Sequence, residues 1–118
     1  MIDKHEIEQV ATRIGIEANA ERVILFGSHA RGEAGKNSDV DFMIIAESNL
    51  PRFKRSRKLY KLFQPYPFSM DLLVYTPQEI EKGKKSHLSF VSTVLREGKT
   101  LYVREFRNSK AMAVQSYE

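Results

Sequence analysis

Phe26 to Ile45 reads FGSHARGEAGKNSDVDFMII, and this stretch decides how the chain is organised. Its left end completes a short apolar run, Val23 to Phe26. That run is too short for a helix and rich in β-forming residues, so it predicts a buried strand. Its right end opens a second strand, Asp39 to Ala46, whose C-terminal half is wholly apolar. Between them, Ser28 to Gly32 reads as a brief helical turn and Glu33 to Ser38 as a polar loop. Glycine at position 27 lets the backbone approach a ligand closely, because no Cβ intervenes. The free N–H groups of a helix start, beside the Ser28 hydroxyl, suit a phosphate. Gly27 and Gly32 have the GxxxxG spacing, but Glu33 and Ala34 stand where a Walker loop needs Lys and Ser or Thr, so this is not a P-loop.

Asp39 and Asp41 lie two apart on the second strand, and side chains at i and i+2 of a strand project from the same face. Two carboxylates side by side among apolar neighbours repel each other and resist burial, which calls for a compensating cation. Hard divalent ions such as Mg²⁺ take carboxylate and phosphate oxygens. An Asp-x-Asp pair taken alone is also what a solvated strand end provides. Asp71, in the strand-like run Ser69 to Tyr75, supplies a third carboxylate. If that strand neighbours the second, all three converge. Two metal ions held there can bridge the attacking and leaving oxygens of an in-line displacement at phosphorus. Asp39 and Asp41 would then bind the metals, while Asp71 would bind one and activate the attacking hydroxyl.

Outward from this stretch, Asp3 to Ala18 predicts a helix capped by Asp3, with Ile7, Val10, Ala11 and Ile14 at helical spacing. Leu50 and Pro51 open a basic helix expected to reach Phe63. Thr76-Pro77-Gln78-Glu79 is a strong helix start. Gly83 should interrupt that helix, Ser86 restart it and Gly98 stop it, before a fourth strand at Leu101 to Val103. Strands alternating with helices give an α/β (α+β) fold, a small mixed sheet of about four strands flanked by helices. The 118 residues make one domain, taken as 1–103, followed by a polar tail, 104–118. With no cysteine, disulfides, thiolate metal sites and a cysteine nucleophile are excluded. No apolar run reaches the length of a membrane span and the first residues do not form a signal peptide, so a cytoplasmic location is expected.

Gly27-Ser28, ten intervening residues and Asp39-x-Asp41 resemble the GSx10DxD signature of polymerase-β-type nucleotidyltransferases. Ala30-Arg31-Gly32 and the later strand acid at Asp71 match as well. The likeness is greatest to the minimal nucleotidyltransferase (MNT) group, which includes the MntA antitoxins of HEPN–MNT toxin–antitoxin pairs. The resemblance implies the polymerase-β-like fold, ATP as donor, Mg²⁺ as cofactor, and transfer of AMP to a hydroxyl with release of pyrophosphate. It puts Gly27 and Ser28 on the nucleotide-phosphate positions, Asp39 and Asp41 on the metal ligands, and Asp71 on the third catalytic carboxylate. In the MntA group the acceptor is a tyrosine of the HEPN ribonuclease toxin, so a hetero-oligomer with such a toxin is the expected assembly. Transfer to a small-molecule hydroxyl, as in aminoglycoside modification, and a binding module that masks its partner without chemistry are the alternatives.

Arg31 is placed to reach phosphate oxygens, or to pair with Glu33. Lys36 stands in the loop before Asp39, and His29 follows Ser28. Arg52 to Lys61 carries six basic residues in ten, with Phe53, Tyr60 and Phe63 expected on one apolar helical face. Its basic face is either solvated or a dock for an acidic partner. Neither an RNP motif nor zinc-finger spacing is present, so direct nucleic-acid binding is not expected. Tyr117 in the tail is a candidate self-modification site.

Overall fold

The computed structural model describes residues 2–105. Helix α1 (Lys4–Ala18) leads into β1 (Arg22–Phe26), a one-turn helix α2 (Ser28–Arg31) and β2 (Val40–Ile45). A 3₁₀ turn (Arg52–Lys54), α3 (Arg57–Lys61) and β3 (Met70–Tyr75) follow, then α4 (Pro77–Lys84), α5 (Phe90–Glu97) and β4 (Lys99–Val103). The expected mixed four-stranded sheet is present, in the order β3-β2-β1-β4. β2 runs antiparallel to β1 and parallel to β3, and β4 closes the other side antiparallel to β1.

Alternation along β2 assigns the two faces of the sheet. Val40, Phe42 and Ile44 point into the larger core with Ile7, Val10 and Ile14 of α1 and Leu59 of α3. Met43 and Ile45 point the other way, against Ile80 of α4 and Val91 and Val94 of α5. A central strand covered on both faces must be apolar at successive positions, which is why Phe42 to Ala46 lacks a polar residue. Asp41 shares the face of Met43 and Ile45 but is half-buried where they are buried. The helices therefore cover the far end of this face and leave the start of β2 open. Gly83 does not interrupt α4 as expected. A Cβ there would collide with the Val91 side chain, so the missing side chain is what lets α4 and α5 pack together. Among the described residues, no helix is long and apolar enough to cross a membrane.

Two further expectations need correction. The helix predicted from Leu50 to Phe63 is a 3₁₀ turn and a separate short helix. The i+3 bonds Lys54 N to Pro51 O (2.9 Å) and Arg55 N to Arg52 O (3.2 Å) wind the first turn at 3.0 rather than 3.6 residues. Phe53 thereby leaves the apolar stripe and is 72% exposed, whereas Phe63 is buried and Tyr60 half-buried. The last helix is capped not by Ser86 but by Ser89, whose hydroxyl accepts from the N–H of Ser92 (3.0 Å) and donates to Gly83 O (2.7 Å).

Two of the six basic residues in 52–61 are consumed by the fold. Arg55 is nearly buried and donates to Glu79 (2.7 Å), Val74 O (3.1 Å) and Leu50 O (2.9 Å), while Arg52 reaches Glu79 (3.3 Å) and lies over the Tyr75 ring (4.4 Å). Glu79 also completes a capping box with Thr76 at the expected helix start. These bonds, led by that from Arg55, hold the Glu79 carboxyl at about 2. A carboxyl lowered on folding stabilises the native state fully above its unfolded value and loses that contribution as pH falls through the folded value. Unfolding free energy should accordingly drop by about 1–2 kcal/mol between pH 5 and pH 2, after allowance for partial exposure. Glu79→Gln should flatten that part of the profile, as read by denaturant titration across the range.

Candidate active site

β1 delivers the chain to Gly27, which adopts φ +76° and ψ −157°, a backbone region closed to residues with a Cβ. A Cβ at this position would also overlap Oδ2 of Asp41. The loop after β1 thus passes directly over the carboxylate of the neighbouring strand, and only glycine permits both the conformation and the contact. From Gly27 the carbonyl accepts from the N–H groups of Ala30 (3.0 Å) and Arg31 (3.1 Å), forming α2, and Gly32 ends it in the left-handed conformation.

Sheet register brings the acids together. Asp41 is paired across β2 and β3 with Asp71, and across β1 and β2 with Phe26. Register partners point to the same face, so Asp41 and Asp71 stand side by side with Phe26 on the other flank. Asp39 precedes β2 by one residue and is exposed, as is Asp71. Burial raises the Asp41 carboxyl above its ordinary value; the charges of Asp71 and then Asp39 raise it further, and His29 and Arg31 oppose them. Asp41 is therefore the member of the group that feels the charge of both other carboxylates. Among the described residues, no three Asp, Glu or His side chains are already drawn tightly enough together to grip a metal ion. The donor set nonetheless suits a hard divalent cation: it is all oxygen, and its central member gains from any positive charge placed beside it.

Ser69 is a member of this cluster that sequence reasoning missed as a functional residue. Its hydroxyl donates to Asp39 Oδ1 (2.6 Å), and its carbonyl accepts from the N–H of Val40 (2.9 Å). One residue thus stitches the start of β2 to the start of β3. A serine before a strand carries no local signal, because the contact spans thirty positions.

The remaining candidates divide. Arg31 takes the ion pair that was the alternative to phosphate binding, with Glu33 at 2.9 Å, and both side chains are well exposed. His29 is half-buried with Nε2 at 3.3 Å from the carbonyl of Ser38, which ties α2 to the loop before Asp39. Lys36 is exposed in that loop. Tyr117 lies outside the described residues. A cavity of about 570 Å³ is bounded by Ile16, Asn19 and Tyr102 to Glu105 and contains none of the acids. Asp39 and Asp71 are exposed and Asp41 is half-buried, so the carboxylates form an open face that solvent reaches.

Comparison with known proteins gives a consistent set of relatives. The family described as nucleotidyltransferase domain matches residues 7–110. MJ0141 of Methanocaldococcus jannaschii, which carries the name of a protein adenylyltransferase, is 41% identical over 78 residues, covering 66% of this chain and 75% of that protein. A toxin–antitoxin crystal structure with AMP-PNP superposes with a TM-score of 0.57 at 21% identity, over 93% of this chain and 83% of the other. A mutant of the MntA–HpeT toxin–antitoxin pair gives 0.51 at 19% identity, over 98% and 84%. At these identities the two structures establish a shared fold.

Proposed function

Because the chain belongs to the nucleotidyltransferase domain family, we propose that it is a Mg²⁺-dependent protein adenylyltransferase that moves AMP from ATP to a tyrosine hydroxyl of a partner HEPN-type toxin, and so acts as its antitoxin. The observation that supports this reading is the half-buried Asp41 flanked by Asp71 and Asp39 on one open face beside Gly27. An open face accepts a side chain presented by another folded protein, whereas a small acceptor needs enclosing walls. The relative named for protein adenylylation points the same way, and a cytoplasmic location suits both ATP and such a partner.

In this reading Asp39, Asp41 and Asp71 hold the Mg²⁺ ions, which when bound supply positive charge for the triphosphate and for the developing charge at phosphorus. The backbone at Gly27 and the Ser28 hydroxyl receive phosphate oxygens. Asp71, at the outer margin of the group, takes the proton of the acceptor hydroxyl. The tyrosine oxygen then bonds to the α-phosphorus, the bond from that phosphorus to the bridging oxygen of the β-phosphate breaks, and pyrophosphate leaves. Ser69 fixes the rotamer of Asp39 without touching the substrate. Ser69→Ala should lower turnover by about tenfold while the melting temperature stays within about 2 °C, as measured by initial rates and thermal unfolding.

The test is incubation of the purified chain with α-labelled ATP, Mg²⁺ and the protein product of the adjacent gene, followed by peptide mass spectrometry. The expected result is AMP on a toxin tyrosine and loss of ribonuclease activity. Label on a small molecule, or neutralisation that survives Asp39→Ala and Asp41→Ala, would contradict it.

A further inference from the structure

We infer that Tyr60 is a positioning residue for Asp71, its hydroxyl substituting for the strand that β3 lacks on its outer side; this rests on the role proposed above for Asp71. β3 is the last strand of the sheet on that side, so the backbone around Asp71 is fixed by β2 on one edge alone. On the free edge the Tyr60 hydroxyl accepts from the N–H of Leu72 (2.9 Å) and faces the carbonyl oxygen of Met70 at 3.4 Å. Those two groups bracket Asp71 in the chain. A single hydroxyl thus acts as both donor and acceptor for the one peptide segment that carries the third carboxylate.

The rest of Tyr60 is arranged to hold that hydroxyl still. It follows the buried Leu59 on α3, and its ring meets Tyr66 edge-on with centroids 6.0 Å apart. Further along the same edge, Val74 O is satisfied separately by Arg55, so the sealing of the edge is divided between two side chains. Asp71 itself is exposed and has no hydrogen-bond partner among the described residues that would aim it. Its direction therefore depends on its backbone, which β2 holds on one edge and Tyr60 on the other. An unbraced edge strand frays more readily than a central one.

Tyr60→Phe keeps the ring and removes the hydroxyl, and the comparison with wild type uses three readouts on the full chain. The Leu72 amide should exchange with deuterium at least about tenfold faster. Mn²⁺ affinity and kcat should each fall by about tenfold, with KM for ATP changed less than about twofold. Wild-type Mn²⁺ affinity and kcat in the variant would overturn the inference, as would faster exchange spread evenly over the whole sheet. A wild-type chain that binds Mn²⁺ but modifies no partner would sink the adenylylation reading, and the Mn²⁺ comparison would still decide the role of Tyr60.

Discussion

Asp41→Asn should reduce AMP transfer by about a thousandfold or more and leave the domain as stable as wild type, or slightly more so. The two halves of this expectation have one cause. Asp41 carries its charge in a half-buried position between two other carboxylates, and its carboxyl is raised by burial first and by Asp71 and Asp39 next. A carboxyl raised on folding opposes the native state: the penalty appears as pH climbs through the unfolded value and is complete above the folded one. Asparagine has the same shape and no charge, so it removes the repulsion at neutral pH and with it the attraction for a cation. Thermal unfolding at pH 7 separates the effects. Without divalent ions the variant should melt at or above the wild-type temperature; with Mg²⁺ and a non-hydrolysable ATP analogue the wild type should rise and the variant should not. A variant that unfolds without ions would mean that Asp41 serves the fold.

Gly27→Ala should cost about 2–4 kcal/mol of stability and at least about a hundredfold in turnover. Backbone strain contributes first, since φ +76° with ψ −157° is open to glycine alone. Steric overlap contributes second, because the new methyl group would occupy the space of Oδ2 of Asp41. A double-mutant cycle with Asp41→Ala distinguishes the two. Removing the carboxylate relieves the overlap and leaves the strain, so the second substitution should cost less in the Asp41→Ala background, by about 1 kcal/mol or more. Strict additivity, measured by denaturant unfolding, would mean that the loop after β1 does not depend on Asp41.

Much of this geometry was legible because it is local or periodic. The run Asp-Val-Asp-Phe-Met-Ile-Ile names the strand and its two buried faces. Thr76 and Glu79, three apart, announce their own helix cap. What stayed hidden depends on partners distant in sequence. Ser69 meets Asp39 thirty residues away, and Tyr60 reaches the strand edge across a chain reversal. The basic segment misled for a related reason. Its charge density reads as a solvated helical face or a dock for an acidic partner, but Arg55 is drawn inward by Glu79 and the carbonyl of Val74. The 3₁₀ turn ahead of it ends the helical period on which the expected position of Phe53 relied.

If Asp39, Asp41 and Asp71 serve one divalent-cation site, titrating Mn²⁺ into the chain with AMP-PNP and following the free ion by electron paramagnetic resonance will show it. Wild type should bind Mn²⁺ stoichiometrically, and Asp41→Asn and Asp71→Asn should each weaken binding by at least about tenfold. Equal Mn²⁺ binding by all three proteins would contradict the account.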